Sequence, residues 1–123
     1  MAARDRIGAG LARAALAVAK RLGVTVQLNH RGVGNVALYA SVLKDEIVTG
    51  DEGSVLYEAR VITLEIPVQT GFAYSSTQGE PVTPGDFLTI NARVHEVLQP
   101  VSKDATGRLY TIRAAQQKRL NQG

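Results

Sequence analysis

A chain of 123 residues, 45% hydrophobic and 20% charged, has the size of one domain and enough apolar content to fill a core without covalent staples. It has no cysteine, which excludes disulfides and thiolate metal sites. Four Tyr, two Phe and no Trp leave little for stacking bases. A net charge of +3 is too mild for a dedicated nucleic-acid binder, while permitting contact with phosphate.

Residues 4–22 predict an amphipathic helix. Ile7, Leu11, Ala14 or Ala15, Val18 and Leu22 recur on one stripe at helical spacing, and Arg6, Arg13, Ala17 and Lys20 lie largely off it. Gly23 stands where a glycine just past the last turn stops a helix. The segment does not read as a secretion signal, because Arg13 interrupts the apolar run and Lys20-Arg21 closes it where small residues belong. It is also too short and too charged to span a bilayer, so no membrane contact is expected. Its alanine-rich middle gives high propensity and a thin profile, suited to close packing on a sheet or a neighbouring subunit.

After Gly23 the apolar period changes to two. Val24, Val26 and Leu28 form one alternating run, and Val36, Leu38, Ala40 and Val42 another, separated by the turn cluster Asn29 to Asn35. Lys44 to Gly53 is polar and acidic with two glycines, and reads as a loop. A long strand follows from about Val55 to Val68, its first half partly exposed and its second half buried, with Pro67 marking an edge or an end. Gln69 to Pro84 is a long irregular stretch carrying Phe72 and Tyr74, large apolar groups without core periodicity. Three strands close the domain, near Phe87 to Asn91, Arg93 to Val101 and Arg108 to Ala114. Ala115 to Gly123 is polar, basic and aperiodic, and reads as a flexible tail. One helix and about six strands joined by short turns predict a mainly β single domain: a small antiparallel barrel or sandwich with an N-terminal helix.

The search for chemistry finds little. His30-Arg31-Gly32-Val33-Gly34 has glycines but neither a following helix nor a Gly-Lys-Ser/Thr ending, so it reads as a hairpin turn. His30 and His95 are far apart, and His95 and Glu96 point to opposite faces of a strand, so a metal site would need carboxylates from elsewhere. Asp45-Glu46 and Asp51-Glu52 read first as a solvated acidic loop and second as an electrostatic docking patch. The serines lack a base at any motif spacing. No catalytic residue, metal or cofactor is therefore expected. Basic residues gather on the helix, at Arg4, Arg6, Arg13, Lys20 and Arg21, and near the end, at Arg108, Arg113, Lys118 and Arg119. They read as a solvated surface, or as contacts to an acidic partner or DNA phosphate.

The stretch Pro84-Gly85-Asp86-Phe87-Leu88-Thr89-Ile90-Asn91, a return strand with Val94 and Val97, the turn Lys103-Asp104-Ala105-Thr106-Gly107 and the closing Arg108-Leu109-Tyr110-Thr111-Ile112-Arg113 resemble the small head–tail joining (head completion, or stopper) proteins of tailed bacteriophages. Ala92 departs from that pattern, which often has glycine in the hairpin turn. The resemblance implies a β subunit of a virion ring, commonly a hexamer, assembled in the host cytoplasm. It would sit below the portal or adaptor protein, seal the DNA-filled head and dock the tail terminator or tail tube protein, with dsDNA in its axial channel. It implies an interface role for Phe72 and Tyr74 in the mid-chain loop, and partner or DNA contacts for Arg6, Arg13, Lys20, Arg113, Lys118 and Arg119. The alternative from another class is a small-barrel nucleic-acid-binding module.

Overall fold

The computed structural model describes residues 3–52 and 55–119. Helix α1 (Ala3–Leu22) is followed by strands β1 (Val24–Asn29), β2 (Asn35–Glu52), β3 (Val55–Pro67), β4 (Phe87–Ile90), β5 (Arg93–Val97), β6 (Ser102–Lys103) and β7 (Leu109–Arg119). The strands hydrogen-bond in the order β3-β2-β1-β4-β5-β7, and a further β3–β7 pairing closes them into a six-stranded antiparallel barrel. The short β6 adds to β7 where β5 has already left it. The expected fold class is the one the chain adopts.

The alternation read from the sequence builds the core. Val26, Leu28, Leu38, Ala40, Ile62, Leu64, Ile66, Leu88, Ile90, Val97, Ile112 and Ala114 are buried together. Each large aliphatic removed from water contributes about 1.5–3 kcal/mol, which is why the pleat selects one register over its one-residue slip. The loop between β3 and β4 adds Phe72 and Val82 to this core. It holds only isolated bridges, Gln69 with Phe72 and Ser75 with Gly79, as its irregular sequence suggested.

Two stretches differ from expectation for one reason. Residues 44–52 are strand, not loop: β2 bulges between Val42 and Lys44, then runs beside β3 until Glu52 faces Val55. Residues 115–119 are likewise strand rather than free tail, because β7 follows β3 from Ala115 opposite Val61 to Arg119 opposite Tyr57. Together they form a three-stranded arm that leaves the barrel. Among the described side chains none at 44–49, 58–60 or 115–116 joins the core, so the arm needs no apolar alternation and its sequence looks like loop and tail. Gly53 and residues 120–123 lie outside the described residues. The strand expected to reach Val101 ends at Val97, followed by a cis Gln99–Pro100 bond.

The hairpin between β4 and β5 is a two-residue turn in which Asn91 and Ala92 both take positive φ, 51° and 65°. That is the primed geometry that matches strand twist and normally recruits glycine. The departure at Ala92 therefore leaves the turn type unchanged and loads a Cβ onto it.

Helix α1 packs along the outside of the barrel, inverted relative to its apolar stripe. Ala12 and Ala19 face the barrel at 7% and 2% exposure, while Leu11, Val18 and Leu22, which spacing placed on one stripe, are 54%, 50% and 84% exposed. The cause is proximity. A Cβ on Gly23 would lie 2.1 Å from the Ala40 carbonyl oxygen and 2.7 Å from that of Ala19, so the helix meets β2 at backbone distance. Only small residues fit such a seam. Gly23 ends the helix as expected, but space rather than a left-handed φ requires it, and its amide bonds Ala19 O at 3.0 Å. Among the described residues no helix is long and apolar enough to cross a membrane.

Candidate functional site

The barrel has two poles with different chemistry. At one, β1 begins, the β4–β5 turn closes, and β2, β3 and β7 leave as the arm. Val24, Val42, Ile62 and Ile90 line an open cavity of about 300 Å³ there, with Asp45, Arg60, Asn91, Arg93 and His95 at its polar side. Asp45 and Arg60 face each other diagonally across the β2–β3 pair and join through two hydrogen bonds of 3.0 and 2.7 Å. The Arg60 guanidinium holds the Asp45 carboxyl below its ordinary value. His95 faces inward and is buried, with Glu96 outward, as the alternation predicted. Its Nδ1 donates to the Arg93 carbonyl at 3.0 Å, which leaves Nε2 buried with no protein partner. Among the described residues no group of three or more His, Cys, Asp and Glu could hold a metal.

The arm carries apolar groups into solvent. Leu43, Ile47 and Val48 are 55%, 63% and 48% exposed, although they lie within a continuous strand. The β2 edge beyond Ala40 is left unpaired by β1, whose register ends with Val24 opposite Ala40. Lys44 pairs with Glu46 along its own strand, at 3.4 Å.

At the opposite pole the long loop folds over the barrel end. Asp86 is buried and gathers four donors: His30 Nδ1 at 2.5 Å, the Arg31 and Thr83 amides at 3.1 and 2.8 Å, and the Thr83 hydroxyl at 3.3 Å. Burial alone would raise its carboxyl, but the bonds from His30, Thr83 and Arg31 outweigh that and hold it below the usual aspartate value. Nearby, Glu80 accepts from Lys103 Nζ at 2.6 Å and from the Tyr110 hydroxyl at 2.5 Å. Those two bonds lower Glu80, while burial and the adjacent carboxylate push the Tyr110 hydroxyl well above its ordinary value. Asp104, lowered by its bonds to Thr106, Arg108 and Leu109 despite its burial, closes the β6–β7 turn. These networks staple loops.

The residues singled out from sequence scatter over this frame. Phe72 is not a docking anchor: it is fully buried and meets the Tyr110 ring edge-on at 5.1 Å between centroids. The tight Gln69–Phe72 turn swings it inward, so its missing periodicity reflects a loop plug in the core. Tyr74 is 60% exposed, with Lys103 Nζ 5.7 Å from its ring. Arg13 is exposed on α1, and Lys20 lies over the Tyr39 ring at 5.5 Å, pinning the helix to β2. Arg113 is exposed on β7 opposite Thr63. Arg6 belongs to α1, while Lys118 and Arg119 stand at the end of β7 opposite Glu58 and Tyr57. Arg13 and Lys20 thus sit on α1 and Arg113 on β7. Sequence reasoning missed His30 with Asp86, Glu80 with Tyr110, and Asp45 with Arg60, all pairs distant in sequence. The one available signal was acids placed at strand or turn positions where a solvated charge has no purpose.

No protein-family model matches the chain. Two curated relatives align with it, both threonine–tRNA ligases. The one from Gluconacetobacter diazotrophicus is 33% identical over 105 residues, covering 76% of this chain, and the one from Granulibacter bethesdensis is 31% identical over 126 residues, covering 91%. The chain spans only 16% and 20% of those two proteins' lengths.

Proposed function

We propose that the chain is a structural subunit of a tailed-phage head–tail connector, forming a ring below the portal that closes the DNA-filled head and docks the tail. The observation that carries this reading is the inverted helix. A helix of a monomer turns its large apolar residues inward, whereas α1 turns Ala12 and Ala19 inward and offers Leu11, Val18 and Leu22 to solvent. Leu43, Ile47 and Val48 on the arm are also exposed, with Ile47 and Val48 on opposite faces of β2. Two different surfaces on one subunit suit heterologous contacts, the kind that close rings. The resemblance of the hairpins from Pro84 to Arg113 to head–tail joining proteins supports the same reading. In this reading the chain performs no catalytic step, and it works in the virion, between a portal or adaptor protein and a tail protein.

The test is assembly of the full chain. Negative-stain images and sedimentation should show rings, alone or on portal-bearing heads. A monodisperse monomer that also ignores such heads overturns the reading. The aligned threonine–tRNA ligases favour a second reading, a small barrel that contacts RNA. A salt-sensitive gel shift of tRNA by the monomer would select it.

A further inference from the structure

We infer that the cleft between α1 and the barrel end opposite the arm is a carboxylate-binding pocket, and that it receives the acidic arm tip of a second copy of this chain. The inference rests on the ring reading and names the contact that would build the ring.

The cleft is lined by Ala12, Arg13, Leu16, Val68 and Arg108 and encloses about 360 Å³. Its lining holds two arginines and no acid. Among the described residues neither arginine is in an ion pair, and Arg108 Nε is buried with no acceptor. Asp104 is adjacent in the turn, but its carboxylate is committed to the Thr106 hydroxyl and the Arg108 and Leu109 amides. A buried guanidinium N–H without an acceptor is costly, and a carboxylate is the group its planar fork fits best. The apolar floor of Ala12, Leu16 and Val68 would strengthen such a pair by excluding water.

The arm supplies the acid. From Thr49 to Ala59 the sequence has Asp51, Glu52 and Glu58 and no base. Lys118 and Arg119 of β7 stand opposite Glu58 and Tyr57, whereas Asp51 and Glu52 stand opposite Leu56 and Val55, past the last β3–β7 pair. The run from Lys44 to Glu52 carries the tip about 30 Å from the barrel mouth. Val68 and Arg108 mark the other pole, where β3 ends and β7 begins, so a tip cannot reach its own cleft. A carboxylate tip and an arginine cleft at opposite poles make a head-to-tail contact, which closes into a ring when the rotation between copies permits.

Charge reversal tests this in the full-length chain. Arg13→Glu with Arg108→Glu removes the cations of the pocket, and Asp51→Lys with Glu52→Lys removes the carboxylates of the arm. Each variant should assemble about tenfold more weakly by sedimentation. An equimolar mixture should recover assembly, since each supplies what its neighbour lacks. Arg13→Glu alone, on an exposed position, guards against misfolding and should weaken assembly in the same direction. Because the chain has no cysteine, Arg13→Cys mixed with Asp51→Cys offers a second readout, a disulfide-linked dimer on oxidation. Wild-type rings with both charge variants assembling normally would overturn the pocket and leave the ring reading standing. Loss of DNA retention without loss of assembly would assign the arginines to phosphate instead and also overturn it. A wild-type chain that never assembles, even on portal-bearing heads, removes both.

Discussion

His30 and Asp86, separated by 56 positions, meet through a 2.5 Å hydrogen bond that ties the β1–β2 turn to the turn launching β4. Asp86 is only 4% exposed and also accepts from two amides. Asp86→Ala should therefore destabilise the fold by about 2–3 kcal/mol, because it strands several donors away from water. The pH sign follows from the lowered carboxyl. Its stabilising contribution is complete above the unfolded aspartate value, near 3.9, and is lost as pH falls through the lower folded value. Melting of the wild type should fall in that acidic window, and the Asp86→Ala curve should be flatter there. Parallel curves for both proteins would contradict this.

Gly23→Ala should be among the most damaging single-methyl additions. Its Cβ would sit 2.1 Å and 2.7 Å from two backbone oxygens, neither of which can rotate away. Either α1 lifts off β2 or the strand shifts, at a cost of about 3 kcal/mol. A thermal melt within a degree or two of wild type would show that the seam is looser than these distances imply.

The barrel was legible in the sequence wherever a strand has a buried face. Val26 and Leu28, Leu38 and Ala40, and Ile62, Leu64 and Ile66 write their alternation plainly, and the change of period at Gly23 marks the end of the helix. The arm was illegible because the pattern records burial, not strand. Lys44 to Glu52 and Ala115 to Arg119 pair with β3 without covering a core. The helix was legible as a helix, but not its docking face. Its leucine–valine stripe is real, but a periodic stripe does not say which partner it faces, and alanine's small size decided the packing. Phe72 misled because a loop residue can fill a core without periodicity. The polar staples at Asp86 and Glu80 depend on contacts that only the closed barrel creates.

Phe72 and Tyr74, two residues apart, should behave oppositely. Phe72→Ala empties a fully buried site against Tyr110 and should cost about 3–5 kcal/mol. Tyr74→Ser removes an exposed ring whose described partner is the Lys103 ammonium, and should change stability by less than about 1 kcal/mol. Chemical denaturation of both variants checks this. Similar losses for the two would mean that Tyr74 also supports the core.

Ala92→Gly should stabilise the chain. Ala92 holds φ of 65° beside Asn91 at 51°, a conformation costing a residue with a Cβ about 1–2 kcal/mol. Glycine relieves that strain but loses about 0.5–1 kcal/mol of unfolded-state restriction, so the net gain is about 0.5–1 kcal/mol. A higher denaturation midpoint with an unchanged slope would bear this out, and a lower midpoint would refute it.

The last expectation separates folding from assembly on α1. Leu11, Val18 and Leu22 are half or more exposed, so replacing all three with Gln removes little buried area from the subunit. Gln keeps good helix propensity, and the alanine seam with Lys20 over Tyr39 stays intact. The monomer should keep its stability within about 1 kcal/mol, since substitutions at exposed positions seldom shift it further. If the stripe is covered by a neighbouring subunit or a portal-side partner, the same variant should lose ring formation and joining of heads to tails, because three apolar anchors leave one interface together. Circular dichroism reads the first outcome, and infectious-particle yield from complemented phage reads the second. A variant that folds, assembles and joins heads to tails like wild type would mean that the stripe faces water in the working particle, and the inverted helix would no longer support the connector reading.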